Sequence, residues 1–248
     1  LWHTHAPAEV GQCPLASPPV NRGLSELART GHTAPVTLTA HPLTGETMAW
    51  CADRDHARLA SALSFPVNSP GEFRSPARFM MDGTPVVNGV FCQSSLMLNR
   101  ILRERVALAL SDAETILDCY CGNGNLTRTT AGRAAVLGFD LNIAAVEAAR
   151  SALGGDYRTG NETAMAEVLE SSRFDVVLLD PPRTGARALA PALARCRASR
   201  IVWVSCDAAT LARDLATVLA GGWTLQSCTV IDMFPHTPHA EIVCVLER

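Results

Sequence analysis

A chain of 248 residues, 48% hydrophobic and 18% charged, can fill one large domain or an ordinary domain with a smaller companion, and its composition excludes a disordered polymer. The formal net charge of -3 excludes capture of a polyanion by a bulk basic field and leaves a local basic patch as the means for such a partner. Nine cysteines, an odd number without regular pairing, predict reduced thiols in a cytoplasmic enzyme rather than a disulfide framework.

No apolar run approaches the roughly 20 residues that cross a bilayer, and no leader pattern opens the chain. The start at Leu1, in mid-pattern, suggests a piece of a longer product. Residues 1 to 90 carry short β-like runs, Ala34 to Ala40 and Glu46 to Cys51. Breakers surround them: Ser17-Pro-Pro, Asn68-Ser-Pro-Gly71 and Asp82-Gly-Thr-Pro85. This stretch reads as a small α+β or β-rich module.

Ser94 to Ala109 then has helical spacing, with Leu96, Leu98, Ile101, Leu102, Val106 and Leu110 as its apolar set. Beyond it the rhythm becomes strand, loop, helix. Thr115 to Tyr120, Ala134 to Asp140, Phe174 to Asp180 and Arg200 to Ser205 are predicted strands, the second followed by a helix through Ala149. The runs beginning at Thr224, Ile231 and Ala240 follow without a helix between them. They predict an antiparallel hairpin closing a mostly parallel, doubly wound α/β sheet over residues 91 to 248.

In such sheets ligands bind beyond the carboxyl ends of the strands, so the residues closing each strand carry the chemistry. The first ends Asp118-Cys-Tyr-Cys-Gly-Asn-Gly-Asn125, where two glycines permit a tight turn and close backbone approach. The second ends in Asp140, an acid placed to accept from ribose hydroxyls. Gly122-x-Gly124 lacks the third glycine of a dinucleotide fingerprint, and no triphosphate loop is present. An acid ahead of this glycine pair resembles the first motif of class I methyltransferases; a plain βα turn is the competing interpretation.

The third strand ends Asp180-Pro-Pro-Arg-Thr-Gly185, the fourth Ser205-Cys206-Asp207, and the tail carries Asp232-Met-Phe-Pro-His-Thr-x-His-x-Glu241. With Phe91-Cys-Gln93, Leu117 to Asn125 and Ala209 to Asp214, these pieces in order resemble the RNA 5-methyluridine (uracil-C5) methyltransferases, from about Phe91 to the C-terminus. The resemblance implies a class I methyltransferase fold, S-adenosyl-L-methionine as methyl donor, and RNA as partner, with 23S rRNA favoured over tRNA. It implies Cys206 as nucleophile and Glu241 as the base that removes the C5 proton. Gln93, Tyr120, Asn125, Asp140, Asn161 and Asp180 would line the cofactor site.

Gly11-Gln-Cys-Pro-Leu15 with Asn21 is similar to the segment that supplies the last iron–sulfur ligand in cluster-bearing members. The other three thiolates of such a cluster are not in this chain. Cys13 is either their surviving partner from a longer product or a relic, and no cluster is expected here. Departures from the family pattern are Tyr120 where Phe is frequent, Ser95 where Asn is expected, and Asp207-Ala208 where Asn-Pro follows the nucleophile. An inward Asp207 would raise the thiol pKa, so Asp207 is expected to point away.

Arg74, Arg78, Arg100, Arg103, Arg105, Arg183 and Arg187 are possible phosphate contacts, those near residue 100 equally readable as a solvated helix face. His236 and His239 read as polar loop residues rather than a metal site. Cys119, Cys121, Cys196, Cys228 and Cys244 read as inert packing. Two other functions stay open: methylation of an exocyclic amine, against which Arg183 argues, and a non-catalytic RNA-binding protein of the same fold.

Overall fold

A computed structural model of the chain describes residues 11–52, 54–70, 76–233, 237 and 240–248. The chain divides into two compact units, residues 1–81 with 86–89, and residues 82–85 with 90–248. Phe234, His236, His239, Arg74 and Gly71 lie outside the described residues.

In the first unit, helix α1 (Pro18–Arg29) and helix α2 (His56–Ala62) accompany three strands, β1 (Val36–Ala40), β2 (Thr47–Cys51) and β3 (Val67–Asn68). The strands form a sheet in the order β1-β2-β3, the first pair antiparallel. Ala49, Cys51, Leu59, Leu63 and Val67 are buried together at its core. The β-like runs are therefore strands, but two helices share the unit; Pro at the start of α1 fixes its first turn. Strand β4 (Arg78–Met81) turns through Asp82 and Gly83, both at positive φ, into β5 (Thr84–Val87). Asp-Gly is the pair that such a two-residue turn favours.

The second unit is built on a seven-stranded sheet. Its strands are β6 (Thr115–Cys119), β7 (Ala135–Asp140), β8 (Asp156–Thr159), β9 (Val176–Leu179), β10 (Arg200–Ser205), β11 (Thr224–Ile231) and β12 (Glu241–Glu247), in the order β11-β12-β10-β9-β6-β7-β8. Five strands run parallel, while β12 pairs antiparallel with both β10 and β11. The expected hairpin is thus one long strand through Ile231 and its partner.

Helices α3 (Leu96–Ala109) and α4 (Ile143–Leu153) bury Leu102, Val106, Val146 and Ala149 with one layer of the sheet, including Ile116, Leu178 and Val202. Helices α5 (Glu162–Ser171), α6 (Ala190–Arg195) and α7 (Ala208–Ala220) bury Met165, Leu169, Leu193, Leu211 and Val218 with Leu117, Val177 and Trp203. Strand β9 is buried throughout, as its nearly unbroken apolar sequence requires of a strand covered on both sides. Ile101, assigned to the apolar face of α3, is 45% exposed; the buried stripe runs through Asn99, Leu102, Arg103 and Val106 instead.

Candidate active site

Because β6 to β10 are parallel, their carboxyl ends share one edge, and antiparallel β12 starts there. Along that edge the strand order sets Glu241, Cys206, Asp180, Tyr120, Asp140 and Asn161 in sequence. The register pairs Ser205 with Ile242, which brings Cys206, one residue on, level with Glu241. No local feature of the sequence joins these two residues; the pairing of β12 with β10 does.

Cys206 is half-buried. Burial, then the charges of Glu241 and Asp180, push its thiol above the ordinary range, and the Arg183 guanidinium opposes them. Glu241 is 4% exposed, and its Oε2 has no hydrogen-bond partner among the described residues. Burial raises its carboxyl too, again opposed by Arg183. Asp180 is pushed up to about 8 by burial and by the charges of Glu241, Asp118 and Asp140. Such an edge disfavours the ionised forms, so each group, once ionised, is a stronger proton acceptor than in water.

On the other half of the edge the chain leaves β6 through Tyr120, a non-glycine residue at φ 62°. Its hydroxyl donates to Glu162 Oε1 at 2.5 Å. Backbone strain at a non-glycine residue persists where the surroundings hold it, and functional sites are where it gathers. Gly122 N–H donates to Asp140 Oδ2 at 2.9 Å, tying the glycine turn to the end of β7, and Asn142 N–H donates to Oδ1 at 2.8 Å. A Cβ on Gly122 would meet nothing within 4 Å, so open space adjoins the turn.

Asn125 exchanges two amide hydrogen bonds with Asn99 of α3, at 2.8 and 3.0 Å. Asn161 is exposed and caps α5, accepting from Ala164 N–H at 3.1 Å. Gln93 is buried, and its Oε1 has no partner among the described residues.

Asp207, the departure beside Cys206, caps α7. Its carboxylate accepts from Thr210 N–H at 2.8 Å and is held low by that bond, and it is not among the groups that raise Cys206. Asp or Asn at an N-cap satisfies an otherwise unpaired helix donor.

Of the possible phosphate contacts, Arg100 and Arg103 both bond Asp82, and Arg105 bonds Thr229, so these three serve the fold. Arg78, Arg183 and Arg187 are exposed. Cys228, read as packing, is exposed as well, facing Cys244 across β11 and β12. Asn21 braces the Cys13 segment, accepting from Cys13 N–H at 2.8 Å and donating to its carbonyl at 3.0 Å. Among the described residues no three His, Cys, Asp or Glu side chains gather as a metal site.

Two acids quoted within the motifs were given no role of their own by the sequence. Asp118 is buried, accepts from Thr127 at 2.8 Å, and is pushed up to about 7 by burial. Asp214, 1% exposed, sits on the buried stripe of α7 with Leu211, Leu215 and Val218. An acid in an apolar helical stripe was the signal available for it.

Residues 162–248 match the family model described as tRNA (Uracil-5-)-methyltransferase. The chain is 39% identical over 162 residues to a 23S rRNA (uracil(1939)-C(5))-methyltransferase of Alcanivorax borkumensis, covering 60% of this chain and 36% of the relative. It is 34% identical over 216 residues to the enzyme of the same description from Tolumonas auensis, covering 81% of this chain and 48% of that one. Over the matched residues the chain is similar to RNA uracil-C5 methyltransferases. It spans less than half the length of these two relatives.

The fold is that of a class I methyltransferase. A Pyrococcus abyssi tRNA (uracil-54, C5)-methyltransferase, solved with S-adenosyl-L-homocysteine, superposes with a TM-score of 0.73 at 24% identity, covering 96% of this chain and 70% of that chain. No helix among the described residues is long and apolar enough to cross a membrane.

Proposed function

We propose that this chain carries the catalytic site of an enzyme that methylates C5 of a uridine in RNA, with 23S rRNA as the favoured target and S-adenosyl-L-methionine as donor. The observation that carries this reading is the meeting of Cys206 and Glu241 on adjacent strands at the ligand-binding edge. The relatives' names favour ribosomal RNA over tRNA.

The residues fit the donor. Gln93 offers a buried, unpartnered acceptor, Asp140 an acid, and Gly122 a turn open to close approach. S-adenosyl-L-methionine would supply an electrophilic methyl group, its S–methyl bond breaking to leave S-adenosyl-L-homocysteine with the bonding pair on sulfur. C5 of uracil is a weak nucleophile, so the chain must activate it. The Cys206 thiolate adds to C6, and the electron pair moves to C5, which then takes the methyl group. Glu241 removes the proton from C5; the pair returns to the ring and expels Cys206 as the C6–S bond breaks. A buried carboxylate lacking a partner is suited to accept that proton, because water is not competing for it. The uridine must leave its stack to reach Cys206, as a flipped or looped base does.

The deciding experiment is transfer of labelled methyl from S-adenosyl-L-methionine to unmodified 23S rRNA and tRNA, with nucleoside analysis. Wild type is expected to form 5-methyluridine in the ribosomal RNA and Cys206→Ala none. Transfer surviving in Cys206→Ala rejects the mechanism, and label in tRNA alone rejects the target.

A further inference from the structure

We infer that Thr210, Arg213 and Asp214 of α7 are positioning residues: they hold the loop that carries Arg183 in place beside Cys206 and Glu241. The inference rests on the catalytic role proposed for Cys206.

The loop leaves β9 as Asp180-Pro-Pro-Arg-Thr-Gly-Ala186 and turns through Gly185, whose N–H donates to Pro182 O at 2.8 Å. Three side chains on one face of α7 bind its backbone in order. Thr210 Oγ1 donates to Arg183 O at 3.1 Å, and Arg213 Nη2 donates to Thr184 O at 2.8 Å. Ala186 N–H donates to Asp214 Oδ2 at 2.8 Å. Arg213 Nε donates to Asp214 Oδ1 at 2.7 Å, so the acid and the guanidinium fix each other.

The approach is too close for a side chain at residue 185. Gly185 stands at φ 78°, and an added Cβ would run into the Asp214 carboxylate and the Arg213 guanidinium. Asp214 is 1% exposed, and a buried carboxylate is retained where its hydrogen bonds are complete. The same helix begins directly after Cys206, and its cap Asp207 binds Thr210 through both N–H and hydroxyl. Nucleophile and loop are thereby fastened to one rigid element.

Arg183 is what the loop delivers. Among the described residues, the charged groups acting on Cys206 are Glu241 from β12, Asp180 from the end of β9 and Arg183 from the loop; the two acids disfavour the thiolate and the guanidinium favours it. Arg183 acts in the same sense on Glu241 and Asp207. A backbone free to drift would carry this charge away from the thiol.

The test follows alkylation of Cys206 by iodoacetamide across pH in the whole chain, read by mass spectrometry of its peptide, for wild type, Arg183→Gln, Asp214→Ala and the double variant. Each single change is expected to move the pH midpoint up by about half a unit to one unit, roughly three- to tenfold slower reaction at a fixed pH below it. The double variant should shift no further than Arg183→Gln alone, since the clamp acts through that residue. An unshifted midpoint in folded Asp214→Ala, or additive shifts, overturns the inference.

Should Asp214→Ala fail to fold, Thr210→Val removes a single bond to the loop; an unshifted midpoint there overturns it equally. Alkylation needs neither RNA nor methyl donor. Shifted midpoints without methyl transfer would therefore count against the proposed function and leave the clamp standing.

Discussion

In the proposed mechanism Glu241 serves as base and Cys206 as nucleophile, and burial raises both groups while Arg183 opposes the rise. Replacing Glu241 with Gln keeps the shape and removes the proton acceptor. The C6 adduct should form and then stall, because the thiol cannot leave until C5 loses its proton. Turnover is expected to fall about 10²- to 10⁴-fold, with protein–RNA adduct retained on a denaturing gel; absence of adduct together with normal turnover would contradict the assignment. The sign of the pH dependence follows from the thiol. Its pKa is raised, so transfer should increase with pH as the thiolate forms.

Motif reading singled out both residues and the acids at the strand ends. The structure adds a local use for others, since Asn161 and Asp207 each cap a helix and Asn125 is paired with Asn99. Sequence alone cannot separate a cap from a ligand, because the same short polar side chain serves both.

At the scale of elements, the strand–loop–helix rhythm was legible from Thr115 onward because buried parallel strands are continuous apolar runs. Strand β8 escaped notice: only Tyr157 of its four residues is buried, and it lies at the sheet edge. Helices α1 and α2 were hidden within a stretch whose prolines and glycines suggested strands and turns. Gly124 is the residue on which the β6 turn most depends. It stands at φ 76°, and an added Cβ would strike the Leu153 side chain of α4. Gly124→Ala is expected to cost at least about 1 kcal/mol from backbone strain alone, with the contact adding to it. A denaturant midpoint equal to wild type would show that the turn relaxes.

Across the whole molecule, buried acids make stability depend on pH in an unusual direction. Asp118 has an ordinary value of 3.8 and is held at about 7 in the folded chain. Between those values the folded state keeps a proton that the unfolded state has released. Stability is therefore fully present below about 4 and falls as pH rises toward about 7. Asp180, held at about 8, extends the same trend. The melting temperature of wild type should decline across this window, and Asp118→Asn should flatten the slope. An unchanged slope would mean that Asp118 is ionised in the fold.

The sequence by itself determined most of the strand–helix alternation after residue 110, the glycine turn, the acids at strand ends and the family resemblance, because these depend on residues near one another in the chain. Only the tertiary structure decided that Glu241 faces Cys206, that Asp207 turns to the helix, and that α7 grips the Arg183 loop. Strand register, burial and side-chain clamps arise between segments far apart in sequence. Desolvation, which raises the thiol and the acids, exists only once those segments have packed.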